Sequence, residues 1–483
     1  MNKSAVLIAL FLVNVSFGLA QQLYTLEDII ERAQLQSPSA KQAETRKENR
    51  YWQYRTYKAN YNPQLRLSGD SPGYNLDFFG NRQDDNTIVF QKREQSFTQL
   101  NLGIEQPVAF TGGTVSINSN SSRFDDITRS STSWNSTLVN IQVDQPLFGF
   151  NQLKWDKRTE PLRYEESRRS YVEEMEFVSR RSVEYFFDYL DAQVNLQIAQ
   201  FNLANNDTIY NIEKGRYNIG TTSEDKLLQV ELQLLRSKQD VAQAQLDLQT
   251  SQLALRTFTG LGSEMDFELT LPEEIPSFTV TVASALLYAQ SNRADFIAFE
   301  RRRLEAQRQV EEAKRQRYQT NLRASFGLNS IGSTIDESYL DPNNQQRLNL
   351  SLDIPIIDWG RNKAQTQTAL ANKKLTDYVI DQEEQNFEQE IMTQVRQLDV
   401  LRLQIEISKK TDEVAQKRYD VAQNRYLIGK IDITNLNIAL TEKDNAKRSY
   451  LSALRNFWIA YFDLRRLTLY DFANNNLLYT VDN

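Results

Sequence analysis

The sequence predicts a mainly α-helical chain, built of long helical hairpins with a smaller strand portion and arranged as an internal two-fold repeat. Three observations predict it. Proline is missing over very long stretches. Short segments of strict apolar–polar alternation lie between the long stretches. One pentapeptide pattern recurs 209 residues further on, in the same order of events.

Composition narrows the function. The 483 residues include 56 Lys+Arg and 63 Asp+Glu but no His and no Cys. Ser-His-Asp and Cys-His catalysis, zinc sites built on imidazole or thiolate, iron–sulfur clusters and disulfides are therefore excluded. No cofactor or metal is expected. The net charge of -7 argues against nucleic acid as a partner, because such binders usually carry a basic face. A mean hydropathy of -0.58 is too polar for a bundle of membrane helices. It leaves open a transmembrane β-barrel, whose alternating strands escape hydropathy scans.

Residues 1–20 read as an export signal. Lys3 supplies the positive start, Ala5 to Val15 the apolar run, and Gly18-Leu19-Ala20 the small residues before cleavage. The mature chain is expected to begin at Gln21 or Gln22. A membrane anchor is the competing reading, but the run is short of the roughly 20 residues that a span needs.

The elements follow in order. In 114–120, Val115 and Ile117 alternate with Ser116, Asn118 and Asn120, and in 137–145 Val139, Ile141 and Val143 alternate with Asn140, Gln142 and Asp144. Period two predicts strands with one apolar and one polar face. The segment from Gln152 to Tyr217 reads as helix, interrupted only by Pro161. At 1.5 Å per residue it would be roughly 100 Å long if continuous. Asp225 to Leu255 is rich in Leu, Gln, Ala and Lys, with Leu on more than one face, which suits a helix between two neighbours. Strands return in 322–329 (Leu322, Ala324, Phe326, Leu328) and 347–354 (Leu348, Leu350, Leu352, Ile354). After Pro355 no proline follows, and proline costs about 3 kcal/mol inside a helix. Ile391, Val395, Leu398, Leu401 and Ile405 form one helical stripe, and Ala415, Tyr419, Ala422 and Tyr426 another.

Arg216-Tyr217-Asn218-Ile219-Gly220 recurs as Arg425-Tyr426-Leu427-Ile428-Gly429, and Pro146 matches Pro355 at the same offset. Tyr61 with Leu65-Arg66 matches Tyr318 with Leu322-Arg323 at an offset of 257, so the first copy carries 48 more residues between its strands. The organisation expected is a first repeat over 21–262, with strands in 64–148 and a hairpin tip near 218–222. A linker (263–280) leads to a second repeat over 281–470, with strands in 321–357 and a tip near 427–431. Residues 471–483 form a tail.

The strands fit either a soluble β-sandwich or a barrel wall in lipid. In lipid the sheet edges must close, because unpaired backbone groups cost several kcal/mol each there. Two strand pairs give four strands, and the smallest outer-membrane barrels have about eight. Several copies would have to share one barrel.

The chain resembles the outer-membrane channel-tunnel proteins of the TolC type, the outer-membrane efflux family, over nearly all of its mature length. The resemblance rests on the repeat, on Pro355-Ile356-Ile357-Asp358-Trp359-Gly360-Arg361 entering a helix, on the two Arg-Tyr-x-x-Gly turns, and on Leu255 to Gly260 closing the first repeat. It implies a homotrimer with a twelve-stranded barrel in outer-membrane lipid, four strands from each chain, and a helical tunnel across the periplasm. It implies an inner-membrane transporter and a periplasmic adaptor as partners, passive export of substrate, and no enzymatic activity. Adaptor contacts map onto Asn218, Ile219, Gly220 and Thr221, and onto Leu427, Ile428, Gly429 and Lys430.

The family's periplasmic aperture uses acidic rings and a latch with a Tyr and an Arg. Tyr426 matches the Tyr, whereas the Arg and Asp positions hold Ile431, Asn435, Ile438 and, in the first repeat, Lys226. Tyr217, Glu224, Asp225 and Asp432 lie beside them and complete the aperture candidates. Each carboxylate equally suits an ordinary helix N-terminus.

Other features are weaker. Glu165-Glu166, Glu173-Glu174, Glu273-Glu274 and Glu311-Glu312 are neighbours about 100° apart on a helix, which suits solvated faces. Arg301-Arg302-Arg303 lies among Glu300 and Glu305, as in a charge-laced helix. Gly260-Leu261-Gly262 follows a helix and not a strand, against a phosphate loop. Phe110, Phe124, Trp134, Phe148, Phe326, Tyr339 and Trp359 flank the strands, as an interfacial girdle or as plain packing. Two alternatives to a channel stand: an exported periplasmic coiled-coil scaffold, and an exported enzyme using carboxylates.

Overall fold

The structure is a computed structural model and describes residues 22–261 and 267–479. The export signal of residues 1–20 lies outside the described residues, as do Gly262 and the end of the C-terminal tail. In chain order the first elements are β1 (Gln22–Tyr24), α1 (Leu26–Gln36), α2 (Pro38–Ala59), β2 (Gln64–Arg82), β3 (Ile88–Val108), β4 (Gly113–Asp126) and β5 (Ser131–Pro146). Then come α3 (Gln152–Asn218), α4 (Glu224–Thr259), β6 (Phe267–Leu269), α5 (Val282–Asn292) and α6 (Ala294–Arg315). The chain closes with β7 (Gln319–Gly332), β8 (Asn343–Asp353), α7 (Arg361–Leu427), α8 (Ile433–Thr468), β9 (Tyr470–Asp471) and β10 (Asn476–Leu477). The fold is mostly helical. The helices occur in one order of lengths twice, 11, 22, 67 and 36 residues. Pro161 does not break α3, which runs through it.

The chain forms two compact units, each drawing on both halves of the sequence. One comprises Arg46–Ser170 and Arg293–Glu388 and contains an antiparallel sheet in the order β2-β3-β4-β5-β7-β8. The sequence leads to four strands in this sheet, and the structure has six. The first half supplies four of these strands, β2 to β5, and its 48 additional residues lie between Arg66 and Pro146. The alternation of β2 is obscured because Gly69, Pro72 and Gly73 interrupt it, where a register shift lies between Asp70 and Gly73. Apolar positions are odd before the shift (Leu65, Leu67) and even after it (Tyr74, Leu76, Phe78), so no single period spans the strand.

The other unit comprises the described residues up to Thr45, those of Tyr171–Asn292, and those from Gln389 onward. Thr25 opens α1 with a capping box, its hydroxyl accepting from the Asp28 amide while Asp28 accepts from the Thr25 amide. The stripe read in α7 is buried throughout, at Ile391, Val395, Leu398, Leu401 and Ile405. Leu454, Phe457 and Leu464 of α8 and Val183, Phe186 and Phe187 of α3 are equally buried. Among the described residues, no helix is long and apolar enough to cross a membrane.

Candidate functional site

The first candidate is the two-faced sheet. Its register aligns Leu65, Ile104, Ile117, Ile141 and Phe326 across five strands in one row. A neighbouring row aligns Val115, Val143, Ala324 and Leu348. These rows share one face, because directly opposed residues of an antiparallel pair point the same way. The opposite face carries Arg66, Asn118, Asn140, Arg323 and Asn349, and Arg323 pairs there with Asp144 at 2.7 Å. The apolar face is uncovered within the chain: Leu65, Leu67, Leu348, Leu350 and Leu352 are all more than 60% exposed. A contiguous apolar face of this kind marks a contact with lipid or protein. The candidate girdle aromatics fall at both ends of the sheet. Phe110, Phe148 and Trp359, all strongly exposed, lie where β3, β5 and β8 end. Phe124, Trp134 and Tyr339 lie toward the other end, with the Arg123 guanidinium over the Trp134 ring. Phe326 lies on the apolar face between them.

The second candidate is the pair of hairpin tips. At the first, the Gly220 amide donates to Tyr217 O at 2.9 Å and the Thr221 amide to Arg216 O at 2.9 Å. At the second, the Gly429 amide donates to Tyr426 O at 2.9 Å and the Lys430 amide to Arg425 O at 2.8 Å. The two turns are thus built residue for residue alike. Gly220 and Gly429 have φ of 77° and 71°, the left-handed region in which an added Cβ is strained. Asn218, Ile219, Gly220, Thr221, Leu427, Ile428, Gly429 and Lys430 are all exposed.

The aperture candidates divide. Tyr217, Glu224, Asp225, Lys226, Asp432 and Asn435 are exposed. Asp432 caps α8, accepting from the Asn435 amide at 3.0 Å and from the Asn435 side chain at 2.7 Å. Tyr426 alone is buried. Its hydroxyl donates to Glu213 Oε1 at 2.8 Å, and Arg216 Nη1 reaches the same oxygen at 2.7 Å. The Arg216 guanidinium lies 5.5 Å from the centre of the Tyr426 ring. Burial pushes Glu213 up, but hydrogen bonds from Tyr426, Thr222 and Arg216 outweigh it and hold the carboxyl below the usual range. Burial, then the bond to Glu213, pushes the Tyr426 hydroxyl up. Beneath the tips, Ile209, Val230, Tyr419, Ile433, Leu436 and Leu440 form one core with Tyr426, joining α3, α4, α7 and α8. Glu213 and Arg216 were not among the candidates. The one local signal is their spacing of three in the last turns of α3, just ahead of the repeated turn.

The same unit leaves two further apolar stripes uncovered. Leu228, Leu232, Leu235, Leu246 and Leu253 of α4 are exposed, as are Val400, Leu403, Ile407, Val414 and Val421 of α7. Each set falls on a repeat of alternating steps of three and four, the spacing of a coiled-coil seam.

Comparison with known proteins places these features in a family. The profile of the outer membrane efflux protein family matches residues 29–261 and 284–468. No curated protein sequence matches. The fold is similar to the outer membrane channel CmeC of Campylobacter jejuni, with 15% identity over 92% of this chain and 85% of that one, and a TM-score of 0.68. It is similar to the outer membrane protein VceC of Vibrio cholerae, with 17% identity over 92% and 95% of the two chains and a TM-score of 0.62. The open outer membrane channel MtrE of Neisseria gonorrhoeae gives 16% identity over 94% and 91%, with a TM-score of 0.64. The chain belongs to the outer membrane efflux protein family, and is an outer-membrane channel protein with a periplasmic extension.

Proposed function

We propose that three copies of this chain form the passive exit duct of a tripartite efflux or type I secretion system. Residues 1–20 direct export. The twice-used order of helix lengths supports an internal repeat, with the two halves divided near 263–280. The sheets join into one barrel in outer-membrane lipid, and the helical hairpins join into a tunnel. The exposed turns at Asn218–Thr221 and Leu427–Lys430 dock a periplasmic adaptor, which links the duct to an inner-membrane transporter. Tyr217, Glu224, Asp225, Lys226, Tyr426, Asp432 and Asn435 surround the aperture.

One observation carries the reading. The sheet exposes leucines on one face, polar groups on the other, and has unpaired strands at both edges, so a single copy is stable neither in water nor in lipid. The seam-like stripes on α4 and α7 support it independently, because each needs a second copy to cover it. The test is to extract the protein from outer membranes and measure mass and conductance. A detergent-dependent trimer that conducts in a planar bilayer is expected. Release in plain buffer as a monomer, or a folded trimer without conductance, would overturn the reading.

A further inference from the structure

We infer that the wall of the assembled pore has eighteen strands, six from each of three copies, and that the β2–β3 hairpin belongs to that wall. The inference rests on the three-copy assembly proposed above.

The argument begins at the sheet edges. Among the described residues, β2 pairs only with β3, and β8 only with β7. In lipid such edges must find partners. Every pairing in the sheet is antiparallel, so with six strands β2 and β8 run in opposite directions. β8 of one copy can therefore pair antiparallel with β2 of the next. The same junction repeats around a ring until it closes, leaving no edge.

The alternative is that the hairpin stands aside and β4 forms the edge of a four-stranded contribution. The register argues against it. β3 is bonded to β4 from Gln95 to Val108, the full length of β4. Leu65 sits opposite Ile104 in the row that runs on through Ile117, Ile141 and Phe326, and Leu67 sits opposite Leu102 on the same face. On the far edge, Leu348, Leu350 and Leu352 of β8 share that face, so joining the edges makes the apolar band continuous. The stretch of β2 from Gln64 to Asp70, with the residues just past its register shift, approaches the roughly 9–11 residues of a membrane strand. Past the β4–β5 turn, whose Ile127 and Thr128 amides donate to Glu94 O, β3 from Arg93 to Ile88 is paired with β2 alone among the described strands, so the far half of the hairpin stands clear of the others. A wall of eighteen strands is about half again as wide as one of twelve.

The absence of native Cys makes this directly testable. In the full-length protein, Asn349→Cys in β8 is combined in turn with Arg66→Cys, Ser68→Cys or Asp70→Cys in β2, all on the polar face. A second set combines Asn349→Cys with Ser116→Cys or Asn118→Cys in β4. Outer membranes are oxidised and run without reductant. The expected result is cross-linking between copies, up to the mass of three chains, for at least one β2 pair and for no β4 pair. Cross-linking to β4 but to no β2 position would overturn the eighteen-stranded wall and leave the trimer standing. Products that stop at two chains, or monomers with every pair, would overturn both.

Discussion

The Tyr426 hydroxyl donates to Glu213 Oε1 at 2.8 Å, tying the last turn of α7 to the last turns of α3. The bond joins residues 213 positions apart, one from each half of the chain. Tyr426→Phe removes the donor and leaves a buried carboxylate with Arg216 as its remaining charged partner. Losing a hydrogen bond to a charged group costs about 1.5–3 kcal/mol. The cost falls on the tip and not on the cores elsewhere. The expected outcome is a protein that still assembles but shows higher resting conductance in a planar bilayer. Unchanged conductance would show that this link does not hold the aperture.

The same link has a defined pH window. Glu213 is held below its ordinary value of 4.5, so the ionised form is favoured in the folded state. Its contribution is complete above about pH 4.5 and is lost as the pH falls through the lowered value. The link is therefore intact across the neutral range and loosens only in strong acid. Resting conductance should rise on acidification in the native protein. Glu213→Gln should remove that step, and a step that persists in this variant would assign it elsewhere.

Much of the helical fold was legible, for a physical reason. Ile391, Val395, Leu398, Leu401 and Ile405 recur at helical spacing because one face of α7 is buried throughout. β5 and β7 were legible because one face of each carries apolar residues at every second position over much of its length. β2 was not, because its register shift moves the apolar residues from odd to even positions. The tips were legible as turns, since only glycine takes φ near 70° without strain. The Glu213–Tyr426 bond was not, because no local pattern encodes a contact between the two halves. Asp432 lies beside the turn and its carboxylate caps α8, as suits an acidic residue at a helix N-terminus.

Gly220 and Gly429 separate docking from folding. A Cβ built at either meets nothing within 4 Å, so steric overlap is absent and only the positive φ resists substitution. For an L-residue that costs roughly 1–2 kcal/mol. Gly220→Val with Gly429→Val should leave the trimer intact while reshaping both exposed turns. Export, followed as cell survival in toxic small molecules or as secreted protein, should fall sharply. Full export by this variant would sink the claim that the turns dock an adaptor.

The exposed stripe on α4 makes a simple assembly prediction. An isolated surface substitution usually changes stability by no more than about 0.5 kcal/mol. Leu232→Glu with Leu235→Glu places charges on a stripe that is uncovered within one chain. The helical circular dichroism should persist while trimers disappear from mild-detergent gels. Persisting trimers would show that this stripe is not an interface.

Asp191 predicts a stability gain. Burial pushes its carboxyl up to about 6; Arg455 opposes the shift and Asp188 adds to it. Arg455 is bonded more closely to Asp188, at 2.7 Å against 3.9 Å to Asp191. A carboxyl whose folded value is raised loses stability as pH rises from its ordinary 3.8 through the raised value. Asp191→Asn should therefore stabilise the protein above pH 6, by about 1 kcal/mol after solvent screening. The gain should vanish near pH 4, where Asp191 is already protonated when folded. An equal gain at both pH values would assign the effect to packing instead.

Arg465 offers the largest effect. It lies 2.9 Å from Glu176 and 3.4 Å from Asp471, and the Tyr461 hydroxyl donates to Asp471 at 2.8 Å. Burial opposes charge on Glu176 and pushes its carboxyl up, with Arg465 countering that shift. Burial also opposes charge on Asp471, but Arg465 together with hydrogen bonds from Asn474 and Tyr461 outweighs it and holds that carboxyl low. Arg465→Met removes the cation and leaves two buried carboxylates without it. Breaking a buried pair from one side costs about 3–5 kcal/mol. Glu176→Gln should cost far less, because its amide oxygen still accepts from Arg465. The sign of the pH dependence follows. Without Arg465 the Glu176 carboxyl rises further and that of Asp471 rises from its lowered value, so the deficit is largest at high pH and shrinks as acid protonates them. Heat denaturation of each variant at pH 5 and pH 8 measures this. A deficit for Arg465→Met equal at the two pH values would mean that lost packing, and not uncompensated charge, governs the site.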